Sequence, residues 1–267
     1  MIQHKNSKTD IDLKRNVTAT AYCLILLLVL GFQINMIAQT KTDSVQHPTI
    51  FSGNISFTNN GFSIVPTFSF NSPAINTQMS WKKNNFSIEP DIRLAPDLTK
   101  GSMLLWFRYA VLQKGNFSLR AGIHPAINWF PKIITENGAN AELFQLRRFL
   151  AWELAPNLKI NNHIHTGVYY LQGNGLQTNG ARTTHFVNLY MGFSNIALND
   201  VLRINFTPSF YYLYLDKKEG TYFTATGSIS HKRSPFSFQS SLNQIIQTKI
   251  TGGKDFIWNV ALVYKLK

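Results

Sequence analysis

The stretch Phe117 to Trp129, FSLRAGIHPAINW, puts Phe117, Leu119, Ala121, Ile123, Pro125, Ile127 and Trp129 on one side and Ser118, Arg120, Gly122, His124 and Asn128 on the other. A period of two with unlike faces is the pattern of a β-strand, because successive side chains of extended backbone point in opposite directions. The run is also long. Strands of globular proteins have roughly 5 to 6 residues, whereas a tilted strand crossing a bilayer needs about 9 to 11.

Leu202 to Tyr214 repeats the pattern, with Leu202, Ile204, Phe206, Phe210, Tyr212 and Tyr214 opposite Arg203, Asn205, Thr207 and Ser209. Comparable runs lie at 62–70, 75–83, 86–95, 102–113, 143–154, 158–171, 185–195, 220–230, 235–246 and 256–266, separated by Gly, Asn, Pro and Lys. No sustained helical period interrupts them. Together they make twelve strands, an even number, and the apolar face collects aromatics at strand ends: Phe62, Phe70, Trp81, Phe86, Trp129, Trp152, Tyr214, Trp258 and Tyr264. Length, alternation and aromatic placement predict an all-β fold, a transmembrane antiparallel up-and-down β-barrel over residues 62–267. A soluble β-sandwich or lipocalin-like barrel is the competing fold, but would place its turns every 8 to 12 residues over shorter strands.

Connection lengths give a second test, since such barrels have short periplasmic turns and longer outer loops. Short candidates are Lys83-Asn84-Asn85, Lys114-Gly115-Asn116, Ala155-Pro156-Asn157, Ala197 to Asp200 and Lys232-Arg233-Ser234. Outer candidates are Pro96 to Gly101, Phe130 to Glu142, Gly173 to Thr184, Asp216 to Glu219 and Gln247 to Asp255. A further alternating run, Ile50 to Phe57, would start the barrel on the wrong side, so residues 39–61 are expected to be periplasmic or to fold into the lumen.

Residues 1–38 read as a signal peptide. Lys5, Lys8, Lys14 and Arg15 precede an uncharged run, Ala21 to Phe32, and small Ala38 follows. The run is short for a membrane helix, although a retained signal anchor is the alternative. The chain's single cysteine, Cys23, lies at the front of this run, not after it as a lipidation site requires. Composition excludes other classes. At 13% aromatic and 15% charged residues the 267-residue chain is neither disordered nor, with one cysteine, a disulfide scaffold. Its net charge of +13 is spread over strands and turns, not gathered on one element, which argues against nucleic acid.

The segments Thr58-Asn59-Asn60-Gly61-Phe62-Ser63-Ile64-Val65-Pro66-Thr67-Phe68-Ser69, Gly122-Ile123-His124-Pro125-Ala126-Ile127-Asn128 and Gly252-Gly253-Lys254-Asp255-Phe256-Ile257-Trp258-Asn259-Val260 resemble a family of uncharacterised exported proteins of Bacteroidetes, as does the Ile37-Ala38-Gln39 ending of the signal peptide. The resemblance spans nearly the whole exported chain. It implies an outer-membrane barrel and transfers no catalytic residues.

If the apolar faces meet lipid, the opposite faces line the lumen. They carry Glu89, Asp91 and Arg93, then Arg108, Arg120 and His124, then Arg147 and Glu153, then Lys159, His163 and His165, and Arg203. Two readings follow. A basic wall facing an acidic patch would select solutes by local field; alternatively, Arg108, Arg120 and Arg147 pair with Glu89, Asp91 and Glu153 and fill the barrel, helped by inward Trp106, Phe149 and Tyr169. His163 and His165 stand roughly 7 Å apart on one strand face, but a third metal ligand is not evident, and they read as polar filling. Mid-strand prolines at Pro66, Pro90, Pro125 and Pro208 each remove a ladder donor, which predicts bulges there.

The expected function is a passive outer-membrane channel or transporter for small solutes, anionic ones favoured by the arginines. A closed structural or assembly barrel is the alternative, and an outer-membrane lipid hydrolase is a third reading. No hydroxyl–imidazole pair or acid pair at catalytic spacing supports the third, so neither an enzyme nor a cofactor is expected. The expected partners are outer-membrane lipid and lipopolysaccharide, met by Lys217, Lys218, Lys249 and Lys254, and the barrel-assembly machinery.

Overall fold

The computed structural model describes residues 48–63, 65–136, 139–177 and 180–266. The segment read as a signal peptide lies outside them. The chain forms strands β1 (Ile50–Thr58), β2 (Ala74–Lys83), β3 (Phe86–Leu94) and β4 (Gly101–Lys114). Then come β5 (Phe117–Glu136), β6 (Ala139–Lys159), β7 (Ile164–Gly175) and β8 (Thr183–Ala197). The last four are β9 (Leu202–Leu215), β10 (Lys218–His231), β11 (Phe236–Thr248) and β12 (Phe256–Leu266). Each pairs antiparallel with its chain neighbours, and β1 pairs with β12, closing a twelve-stranded barrel with no free edge.

The strand count agrees with the sequence, but the first strand does not. Ile50–Thr58 is a wall strand in register with β2 from Ile50↔Lys82 to Thr58↔Ala74 and with β12 from Gly53↔Leu266 to Thr58↔Ala261. The barrel therefore begins at Ile50, not near Phe62. The run at 62–70 is instead part of the connection from β1 to β2, with a 3-10 turn at Pro66–Phe68. Alternation alone could not separate the two, since both runs have period two. Closure does: β12 needs an antiparallel partner entering from the same end as the short turns. Phe62 and Phe70 thus leave the lipid-facing set.

One end carries the connections 84–85, 115–116, 160–163, 198–201 and 232–235; the other carries 59–73, 95–100, 137–138, 176–182, 216–217 and 249–255. In the tight turns, Asn84 and Gly115 adopt the left-handed backbone, with φ of 55° and 57°. Two predicted connections are strand instead. Ala155-Pro156-Asn157 lies within β6, and the expected loop Phe130 to Glu142 is a hairpin. Residues Phe130–Glu136 and Ala139–Arg148 lie beyond the ladder with β4, which ends at Gly101↔Trp129, and that with β7, which ends at Phe149↔Gly175.

The outer face is mostly apolar, with polar side chains such as Gln172, His185 and Ser240 among its aromatics. Near the short-turn end it bears Phe51 against Trp81 (ring centroids 5.2 Å apart), Phe236 against Tyr264 (5.0 Å), and the cross-strand pair Phe86↔Tyr109. Toward the other end Trp152, Tyr170, His185 and Tyr214 form a second aromatic chain. Exposed Ile88, Ile123, Ile127, Leu150, Leu154, Val187, Leu189 and Phe210 lie between. Two aromatic girdles flanking an aliphatic band are the surface a bilayer requires, because amphipathic rings settle at the headgroup level.

The prolines do not make bulges. Register shifts occur at Ala110/Leu112, Phe193/Ile196 and Thr221/Tyr222. Pro90, Pro125, Pro156 and Pro208 each coincide with a two-residue gap in one ladder, after which the same register resumes. Trp81↔Ile88 is followed by Gln78↔Asp91, Phe107↔Ile123 by Leu104↔Ala126, Leu154↔Tyr170 by Asn157↔Gly167, and Tyr190↔Ser209 by Phe193↔Phe206. The missing N–H removes one bond, and the neighbouring ladder holds the strand in line. Pro66, in the 3-10 turn, is not in a strand.

Candidate functional site

The register of β3 to β6 arranges the inward side chains in rows. Nearest the long-loop end, Arg93↔Ser102, Ser102↔Asn128 and Asn128↔Arg147 form one polar row across four strands. The next row toward the short-turn end starts at Asp91 and is apolar beyond it: Leu104, Ala126 and Phe149. Below it the Trp106 and His124 rings are in contact, centroids 3.9 Å apart and planes tilted by 53°. A fourth row joins Ser87↔Arg108, Arg108↔Gly122 and Gly122↔Glu153.

That fourth row is an ion network. Gly122 has no side chain between Arg108 and Glu153; a Cβ there would lie 3.0 Å from Arg108 Cγ and 3.1 Å from Glu153 Cγ. Across this space Arg108 Nε donates to Glu153 Oε1 at 2.8 Å and Nη2 to Oε2 at 3.1 Å. Arg120 Nε donates to Oε1 at 3.0 Å and the Tyr169 hydroxyl to Oε2 at 2.7 Å. Arg108 also pairs with Glu89, which accepts a hydrogen bond from Ser87, and its guanidinium lies 4.1 Å over the Trp106 ring. Glu153 is 1% exposed. A carboxylate so buried is tolerable only when its lone pairs are satisfied, as here by four donors.

The expected lumen residues thus divide. Glu89, Arg108, Arg120 and Glu153 come together as one network. Arg93 is buried with its ion pair to Asp91 long, 4.0 Å, and Asp91 accepts a hydrogen bond from Gln78. Arg147 joins no acid among the described side chains; it lies 4.7 Å over the Phe130 ring and donates to Gln145. His165 faces inward against Tyr190, near the short-turn end. His163 is corrected, while Lys159 and Arg203 keep the inward parity but stand at strand ends by the short turns. Lys159 is exposed at the end of β6. His163 lies in the 160–163 turn beside the Ser194 carbonyl (3.1 Å), not on the strand with His165. Arg203 donates to the Asn199 and Leu202 carbonyls, fastening a turn and not facing the mid-lumen. Turn residues follow local hydrogen bonding, which two-residue alternation does not encode.

Two cavities flank these rows. One of about 470 Å³ reaches the long-loop end and is lined by Arg93, Lys100, Ser102, His124, Trp129, Arg147, Phe149 and Leu171. The other, about 660 Å³, reaches the short-turn end between Ser52, Asn76, Gln78, Ser80, Asp91, Arg108, Ser237, Gln239 and Asn259. Arg93 and Ser63 border both, and the Trp106–His124 ring pair stands between them, His124 lining the first and Trp106 the second.

The connection 59–73 completes this partition, and sequence reasoning missed its role. Gly61, with φ of 53°, packs where a Cβ would lie 2.8 Å from the Phe70 Cβ, so the segment folds back on itself. Val65 is buried within the lumen; the Thr67 and Tyr211 hydroxyls share a hydrogen bond of 2.9 Å; and Phe70 lies under Arg93 at 5.7 Å. The signal available was Gly61 together with Pro66, turn residues in a nominal strand. At the rim, Asp97 accepts from the Thr99 hydroxyl (2.8 Å) and amide (3.1 Å), which hold its carboxyl below the usual range and fix the loop presenting Lys100.

No family model matches the chain, and no curated protein matches it. Among solved structures, 70 chains match. An outer membrane channel from Pseudomonas putida F1 superposes with a TM-score of 0.51 at 9% identity, covering 85% of this chain and 100% of that one. A KdgM porin in complex with disordered oligogalacturonate has a TM-score of 0.49 at 9% identity, over 81% and 99%. A NanC porin has 0.44 at 11% identity, over 81% and 100%. At such identities the likeness is one of fold, and the chain has the fold of an outer-membrane β-barrel.

Proposed function

We propose that this protein is a passive outer-membrane channel for small solutes, with a preference for anions. The observation that carries the reading is the pair of lumenal cavities, about 470 and 660 Å³, which reach opposite ends and are parted by side chains and an inward-folded connection. A barrel with a purely structural role has no need of a hollow at each end. Taking the short-turn end as periplasmic, solute enters through the cationic cavity beside Arg93, Lys100 and Arg147 and leaves past Asp91 and Arg108 into the polar cavity. The partition of Trp106, His124, Arg93 and residues 65–70 is the constriction, and its displacement sets the conductance.

The test is single-channel recording of the refolded protein in a planar bilayer under a salt gradient. Discrete steps whose reversal potential marks anion selectivity are the expected result, with selectivity reduced in Arg147→Gln. Insertion with no conductance at any voltage would reject the channel in favour of a closed barrel, the reading to which the packed Tyr169, Phe186, Tyr211 and Tyr222 side of the lumen lends weight.

A further inference from the structure

We infer that the cavity at the long-loop end is a saturable binding site for a small organic anion: a carboxylate head, an apolar body and a distal hydrogen-bonding group. As a statement about the transported solute this rests on the channel reading; as a statement about binding it stands without it.

The rows supply the three parts in order. Arg93 and Arg147 end one register row. With strands about 4.8 Å apart, their Cα atoms stand about 14 Å apart along the wall, so two long side chains reach one anion from either side. Lys100 adds a third cation from the rim, and no carboxylate lines this cavity among the described residues. Asp91, the acid paired with Arg93, borders the other cavity. Below the cations lie Leu104, Phe149 and Leu171, an apolar middle that would take an aromatic or aliphatic body.

The floor is His124, 4% exposed, with neither ring nitrogen hydrogen-bonded to any described residue. Ser102 Oγ and Arg147 Nε, which line the same cavity, are likewise buried without a hydrogen-bond partner. Native proteins leave few buried polar atoms unpaired, so their gathering around one hollow marks where a ligand's polar atoms belong. A volume of about 470 Å³ is in the range of small-molecule sites, roughly 300 to 1,000 Å³.

The probe is 4-hydroxyphenylacetate, titrated by calorimetry into the full-length protein folded in detergent, with phenylacetate and the neutral 4-hydroxyphenylethanol as comparisons. The anion should bind saturably, and the neutral analogue at least about tenfold more weakly, the loss of one charge-assisted hydrogen bond. Arg147→Gln should weaken the anion by a similar factor. His124→Phe keeps a ring against Trp106 and should erase the preference for 4-hydroxyphenylacetate over phenylacetate. Gly173→Val puts a branched side chain into the hollow from a position where a Cβ meets nothing nearer than 3.7 Å, and should abolish binding. Equal affinity for anion and neutral analogue, full affinity in both Arg147→Gln and Gly173→Val, or no saturable heat from folded protein each overturns the site. Conductance recorded on the same preparation separates the two ideas: steps without binding reject the site alone, and binding without steps rejects the channel alone.

Discussion

The two sides of the lumen have the same outer face and opposite fillings. Inward positions of β7 to β10 carry Tyr169, Leu171, Phe186, Tyr211, Leu213 and Tyr222, all buried, with Tyr211 and Tyr222 stacked at 4.6 Å. Inward positions of β1, β2, β11 and β12 carry Ser52, Ser56, Asn76, Gln78, Ser80, Gln239 and Asn259, and they border the larger cavity. The lipid face follows one rule around the whole ring, while the volume of the inward side chains is free to vary. Where it is large the lumen is a packed core; where it is small a hollow remains. Between the two, β3 to β6 bear the charged rows.

Hollowing the packed side is the strongest way to break this contrast. Phe186→Ala should cost about 3–5 kcal/mol in urea unfolding, the usual penalty for truncating a buried aromatic, since its ring touches both Tyr169 and Tyr211. A cost below about 1 kcal/mol would mean that side is not packed as a core. The lipid face should ignore the contrast. Ile123→Arg on β5 and Leu189→Arg on β8 replace exposed apolar side chains in mid-strand and should each cost about 2–4 kcal/mol in lipid vesicles. A large inequality between them would show that one side does not meet the bilayer.

A smaller effect is expected where the packed side holds the inward connection. Tyr211 donates to Asn243 and shares a hydrogen bond with Thr67. Tyr211→Phe removes both and should cost about 0.5–1.5 kcal/mol, with faster amide exchange over 59–73 and a higher open probability in bilayers; unchanged exchange would cut Tyr211 out of the partition. Smallest of all, Ser80→Ala in the hollow side should stay within about 0.5 kcal/mol, and a greater loss would reveal packing that the cavity does not leave room for.

Much of the wall was legible in advance. In the middle of Phe117 to Trp129 and of Leu202 to Tyr214, Ile123, Ile127, Phe206, Phe210 and Tyr212 are exposed and His124 and Ser209 buried, as their alternation assigns, and Glu89, Arg108, Arg120 and Glu153 meet in one network. The cationic row and the unpaired His124 floor were not legible, because they depend on which residue of β3 sits opposite which residue of β4, β5 and β6. A shift of one residue would send every one of those side chains into lipid.

The sequence by itself determined the strand period and most of the lipid-facing set, because these are local: extended backbone alternates its side chains whatever it pairs with. Tertiary structure alone decided which of two alternating runs, Ile50–Thr58 or 62–70, closes the ring. It also decided that Phe130 to Arg148 extends as a hairpin, that His163 belongs to a turn, and that Lys159 and Arg203 stand at strand ends. Those outcomes rest on closure and register, which join residues far apart in the chain, such as Thr58 and Asn259, and no local pattern records them.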